Sequence, residues 1–178
     1  MHRLFVAIRP PAPVRARLID LMEGVGGARW QDDHQLHITL RFIGEADAPV
    51  AEDAAVALGS VRQAGFEIAL DGVGIFETRG RVNALWAGVR PHDAISHLQG
   101  KTDQALIRAR LEPERRAYLP HVTLARFGRD SAGLEAFLAR HAGFTSEPFA
   151  VSWFGLYESR LGQDGATYDL VERYDLRG

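Results

Sequence analysis

The chain of 178 residues has no cysteine. Disulfides, zinc–thiolate centres and thiol nucleophiles are therefore excluded, and a cysteine-free chain suits a reducing, cytoplasmic setting. Long apolar runs are missing as well: no stretch approaches the roughly 20 residues needed to cross a bilayer. The N-terminus lacks the charged, apolar and small-residue succession of a secretory signal, and Arg9 interrupts its first apolar run. No membrane partner is expected. There is no surplus of one charge either. A net charge of −2 argues against broad, salt-driven coating of nucleic acid. Lysine is almost absent, since Lys101 is the only one among 21 basic residues. The arginines suit bidentate contacts to phosphate, although arginine together with many Ala and Gly also reads as a compositional bias. No segment is rich enough in Pro, Gly or Ser to act as a linker, so one domain spanning 1–178, with no obligate protein partner and read as a monomer, is expected.

What the chain does have is an ordinary globular composition, 46% hydrophobic and 25% charged, and one phrase that occurs twice. Leu36-His37-Ile38-Thr39-Leu40-Arg41-Phe42-Ile43 is echoed by Leu119-Pro120-His121-Val122-Thr123-Leu124-Ala125-Arg126-Phe127-Gly128. Both are β-branched and aromatic, the pattern of a strand. Residues two apart on a strand share a face, so each His lies beside its Thr. Seven His and six Thr in 178 residues predict roughly 0.24 such triplets by chance, a template count; there are two, and both continue with Leu.

The surrounding pattern predicts these elements, in order. A strand Arg3–Arg9 is stopped by prolines that open a helix with Val14, Leu18, Leu21 and Met22 on one face. A short extended piece, Ala28–Trp30, leads to the strand Gln35–Ile43. A helix runs from Pro49 to about Gln63, then a strand Phe66–Gly74, a polar turn Glu77–Arg81 and a strand Val82–Val89. A helix from Asp93 to about Arg110 and a charged loop Glu112–Arg116 precede the strand Tyr118–Phe127. A helix capped by Asp130 or Ser131 extends to about His141. The strand Phe149–Tyr157, a turn at Gln163-Asp164-Gly165 and the strand Thr167–Leu176 close the chain.

Strand, helix, His-x-Thr strand, helix, strand thus occurs twice, once from Arg3 to Gly74 and again from Val82 to Tyr157. Phe66-Glu67-Ile68-Ala69-Leu70-Asp71-Gly72-Val73-Gly74-Ile75-Phe76-Glu77 and Phe149-Ala150-Val151-Ser152-Trp153-Phe154-Gly155-Leu156-Tyr157-Glu158 both end in Gly, apolar, aromatic, Glu. An internal duplication follows, with sequence halves of about 1–80 and 81–178. The expected fold is α+β and bilobal, two pseudo-symmetric lobes each with an antiparallel sheet and helices, with the two His-x-Thr strands meeting in a central groove.

Taken singly, a His on a strand is usually structural and Thr is simply a good strand former. Two at matched places point further. Two imidazoles on one cleft suit a general base and a general acid, because histidine titrates near neutral pH. Adjacent Thr hydroxyls and an Arg suit the oxygens and developing charge of a phosphodiester. Strict alternation puts Arg41 on the face of His37 and Phe127 on the face of His121, but puts Arg126 on the opposite face unless a bulge intervenes. Phe127, and more weakly Phe42, are candidates for stacking a nucleobase. The other histidines have no ligand spacing, and no metal or other cofactor is expected.

These phrases resemble those of the 2H phosphoesterase superfamily, in particular its RNA 2′,3′-cyclic phosphodiesterase branch, also called 2′-5′ RNA ligase-like. The resemblance extends over nearly the whole chain, from Arg3–Pro11 to Tyr157–Leu161 and Tyr168. It implies metal-independent hydrolysis of RNA 2′,3′-cyclic phosphate ends to 2′-phosphate. His121 would be the base, His37 the acid, and Thr39, Thr123 and Arg126 the phosphate ligands. Reverse 2′-5′ joining, action on another cyclic nucleotide, and a non-catalytic RNA-end binding module are the alternatives.

Overall fold

Nine strands and four helices make up the computed structural model, which describes residues 1–178. The strands are β1 (His2–Ile8), β2 (Gly26–Trp30), β3 (Ile38–Ala46), β4 (Phe66–Thr78), β5 (Arg81–Arg90), β6 (His121–Ala132), β7 (Phe149–Val151), β8 (Trp153–Gly162) and β9 (Gly165–Asp175). The helices are α1 (Ala12–Asp20), α2 (Ala48–Leu58), α3 (Asp93–Arg108) and α4 (Leu134–Arg140). Local chemistry accounts for several boundaries. Prolines cannot extend β1 and sit in the first turn of α1. The Asp47 carboxylate accepts from the Val50 amide at 3.0 Å and starts α2. Arg79 and Gly80, both at positive φ, make the tight β4–β5 turn, so both strands run further than the polar residues suggest.

All pairings are antiparallel, and the sheet order is β7-β4-β5-β6-β3-β1-β8-β9, with β2 on β6. This order is symmetric about the β3–β6 seam once β1 is matched to β5 and β4 to β8. It also shows that the sequence halves 1–80 and 81–178 are not the halves of the sheet. β4, from the first half, pairs with β5 of the second; β8, from the second, pairs with β1 of the first. Each repeat lends its last strand to the other. The expected strand Phe149–Tyr157 is likewise split at Ser152: β7 joins β4, while β8 joins β1 and β9. β6 runs on to Ala132, and α4 starts after Gly133 rather than at Asp130 or Ser131.

The α+β architecture is as expected, but the two lobes share one continuous sheet and one core. All four helices contribute to a single cluster of 33 buried residues, which includes Leu18, Leu58, Leu98 and Phe137. Leu4, Val6 and Ile8 point into it from β1, whereas Phe5 and Ala7 point to the other face. On that face they form a small second cluster with Tyr157. It is this helix-free face that carries the site. No helix is long and apolar enough to cross a membrane.

Candidate active site

The two His-x-Thr phrases meet at the seam. β3 and β6 pair through one antiparallel contact, Ile38 opposite Val122. Both are fully buried in the core. Their neighbours on either side therefore face the other way, and antiparallel register sets His37 across from Thr123 and Thr39 across from His121. All four line one cleft of about 70 Å³ together with Gln31, Gln35, Arg126 and Tyr168.

Both rings are held in the same way. His37 Nδ1 lies 2.6 Å from the Gln35 carbonyl, and His121 Nδ1 lies 2.7 Å from the Leu119 carbonyl. A carbonyl only accepts, so Nδ1 carries the hydrogen in each ring and Nε2 is left for chemistry. Each carbonyl belongs to the residue two before its His. The two turns are further anchored: Gln35 closes a capping box with Asp32, and the Tyr118 hydroxyl donates to the Thr39 carbonyl at 2.8 Å.

Aromatic rings wall both histidines in equivalent places. Phe5 and Tyr168 pack on His37 at 4.9 and 5.2 Å, with Tyr157 stacked behind Phe5 at 5.4 Å. Phe76 and Trp86 pack on His121 at 4.9 and 6.1 Å. Phe5 of β1 matches Trp86 of β5, and Tyr157 of β8 matches Phe76 of β4. The repeated Gly-apolar-aromatic-Glu pattern gains a purpose here. A Cβ on Gly74 would collide with the Trp86 ring, and one on Gly155 with the Tyr157 ring and Leu170. These walls escape a single-strand reading because they come from neighbouring strands: Phe5 and Trp86 from the first strand of the same repeat, Phe76, Tyr157 and Tyr168 from strands of the other.

Burial among these rings pushes the His37 pKa down to about 4, against the hydrogen bond it donates to the Gln35 carbonyl, with His121, Arg126 and Arg9 adding repulsion. Burial lowers His121 too, opposed by the Leu119 hydrogen bond and helped by Arg126. In the free protein His37 is therefore neutral at pH 7, and the surroundings of His121 likewise disfavour its charged form.

A pair of matched bulges corrects the strict alternation. Opposite β1, Val6 faces Arg41 and Ala7 faces Thr39, so Leu40 is an extra residue in β3. Opposite β5, Leu85 faces Ala125 and Trp86 faces Thr123, so Leu124 is extra in β6. Each bulge turns the following side chains over. Arg126 is brought into the cleft, where it is exposed and has no ion pair or hydrogen bond within the chain. Phe127 is turned away into the core, 7% exposed, and is not available to a base. Arg41 is also turned away. Its Nε donates to Asp103 at 2.7 Å, and its two terminal nitrogens bond the Phe42 and Glu112 carbonyls, so it is committed to the scaffold and is not a free phosphate ligand. Phe42, 40% exposed, takes the place in the first copy that Arg126 takes in the second. It lines a larger cavity of about 530 Å³ that adjoins His121 and includes Phe76, Asn83 and Tyr118. No group of three or more His, Asp or Glu side chains is arranged as a metal site.

Proteins of known structure and function resemble this chain over most of its length. The 2′-5′ RNA ligase superfamily profile matches residues 4–163. The RNA 2′,3′-cyclic phosphodiesterase of Aeropyrum pernix is 32% identical over 157 residues, 86% of this chain and 89% of its own. That of Escherichia coli strain K12 is 30% identical, covering 98% and 97%. The crystal structure of E. coli LigT complexed with 3′-AMP superposes with a TM-score of 0.81 over 99% of both chains at 26% identity. With the match running from β1 into the β8–β9 turn, and so across both motif strands, the chain belongs to the 2′-5′ RNA ligase superfamily.

Proposed function

We propose that this protein hydrolyses RNA 2′,3′-cyclic phosphate ends to 2′-phosphate ends by acid/base catalysis between His37 and His121. The observation that carries the reading is the pair of identically held imidazoles, each with Nδ1–H fixed on a carbonyl, on one cleft with two threonines and an unpaired arginine. The likeness to the Aeropyrum and E. coli RNA 2′,3′-cyclic phosphodiesterases supports the same activity.

In the reaction one neutral Nε2 takes a proton from water as its oxygen attacks phosphorus. The P–O3′ bond breaks, and O3′ receives a proton from the other, charged imidazole. The phosphate remains on O2′. The Thr39 and Thr123 hydroxyls and Arg126 hold the non-bridging oxygens, whose charge grows towards the transition state. Burial disfavours the imidazolium, and the negative charge of the phosphate offsets this by favouring the charged ring, so that the acid takes up its proton from solvent. The two rings are oriented alike, and the order expected from the sequence, His121 as base and His37 as acid, stands as the proposal. With the 5′-hydroxyl of a second RNA in place of water as the nucleophile, the same acid/base steps form a 2′-5′ linkage as O3′ leaves, the joining for which the superfamily is named.

The test is an oligoribonucleotide ending in a 2′,3′-cyclic phosphate, incubated with EDTA. The wild type yields a 2′-phosphate. His37→Ala and His121→Ala each lose roughly 10²–10⁴-fold in rate, the range of general acid–base catalysis, with their circular dichroism unchanged. Full activity in either variant, or a 3′-phosphate product, overturns the reading.

A further inference from the structure

The chain has four tyrosines, and two of their hydroxyls are consumed by the scaffold: Tyr118 bonds the Thr39 carbonyl and Tyr174 the Ala55 carbonyl, both at 2.8 Å. The hydroxyls of Tyr157 and Tyr168 have no partner in the chain. Tyr157 is 7% exposed and lies behind Phe5. Tyr168 alone of the four borders the cleft that holds both histidines, both threonines and Arg126.

Tyr168 is also held rigidly. It lies on the edge strand β9, three residues past the turn glycine, and is paired with Ser159 of β8. The carbonyl of Ala166, two residues before it, accepts from Gln35 Nε2 at 2.9 Å. Gln35 is the residue whose own carbonyl fixes the His37 ring. One side chain therefore locks the position of the β8–β9 hairpin to that of the catalytic imidazole. The phenol ring meets His37 edge to face, at 85° and 5.2 Å, and meets Phe5 at 78° and 5.0 Å. Two aromatic faces leave the ring no freedom to turn aside, and Arg126 and Arg3 lie close enough to act on its hydroxyl.

We infer that Tyr168 is a further substrate-binding residue, whose hydroxyl donates to an oxygen of the phosphate held between His37 and Arg126. This rests on the phosphodiesterase reading of the same cleft. It also explains why a polar-tipped ring stands where packing against His37 would be served equally by phenylalanine. A hydroxyl with no internal partner gains a full hydrogen bond to a charged acceptor when phosphate arrives, whereas a phenylalanine would leave that oxygen unpaired.

The experiment compares Tyr168→Phe, which keeps the ring and removes the donor, with Tyr168→Leu, which removes both. Tyr168→Phe is expected to lose roughly ten- to hundredfold in kcat/KM on the cyclic-phosphate end, the scale of one hydrogen bond to a charged group. It is also expected to bind inorganic phosphate several-fold more weakly by calorimetry, with an unchanged thermal midpoint. Wild-type kinetics and phosphate affinity in Tyr168→Phe overturn the assignment and reduce Tyr168 to a packing ring, whatever Tyr168→Leu does; so does a kinetic loss without a change in phosphate affinity. If the wild type itself leaves the cyclic phosphate intact, it is the phosphodiesterase reading that fails. The phosphate titration then still decides the role of Tyr168.

Discussion

Acidification should unfold this protein partly through one histidine. His37 titrates near 6.5 in an unfolded chain and near 4 in its aromatic cage. Its folded pKa is depressed, so the neutral ring is the one the fold favours. The stability it supports is fully present above pH 6.5 and is lost as pH falls, with the loss complete below about pH 4. At 1.36 kcal/mol for each pH unit, moving the titration from 6.5 to about 4 amounts to about 3 kcal/mol, out of the 5–15 kcal/mol typical of a domain. Many carboxylates titrate over the same window, so the wild type alone is no test. The informative quantity is the difference between wild type and His37→Asn in urea-unfolding free energy, measured at several pH values from 7.5 to 4. That difference should shift by about 3 kcal/mol towards the variant as pH falls. Inorganic phosphate, which favours a charged imidazole in the cleft, should recover part of the loss in the wild type and not in the variant. Parallel pH curves for the two proteins would refute the burial argument for His37.

The bulges separate two phenylalanines that their sequence settings make look alike. Phe127→Ala should destabilise by about 3–5 kcal/mol in urea unfolding, as a core truncation does, whereas Phe42→Ala, at an exposed position, should barely alter stability and should raise KM for RNA ends by removing a stacking surface; the reverse pattern would place the bulges wrongly. Arg41→Met leaves the half-buried Asp103 with only the Glu114 amide donating to it and should cost about 3 kcal/mol, and Arg41→Met/Asp103→Leu should recover much of it; if instead Arg41→Met keeps its stability and loses phosphate affinity, Arg41 is a ligand and not a strut.

The sequence by itself determined what depends on near neighbours. Period-two alternation, proline at the head of α1, Asp47 before α2 and the glycine turns are short-range chemistry, and they place most elements within a few residues. The two His-x-Thr phrases were legible for the same reason: a His and a Thr two apart share a face in any strand. The matched half-chains also told that the two phrases meet.

The tertiary structure decided which partner each strand has, because backbone pairing carries no residue code of its own. β4 and β8 crossing between halves could not be read from a repeat that looks self-contained. The walls that Tyr157 and Tyr168 give His37, and that Phe76 gives His121, follow from that crossing, while Phe5 and Trp86 come from the adjacent strand of the same repeat. The bulges at Leu40 and Leu124 belong to this level too. One extra residue, accommodated by the pairing with β1 or β5, reverses the side chains that follow it. That reversal brings Arg126 into the cleft and turns Arg41 and Phe127 out of it, a choice made by the neighbouring strand and not by the phrase in which all three residues occur.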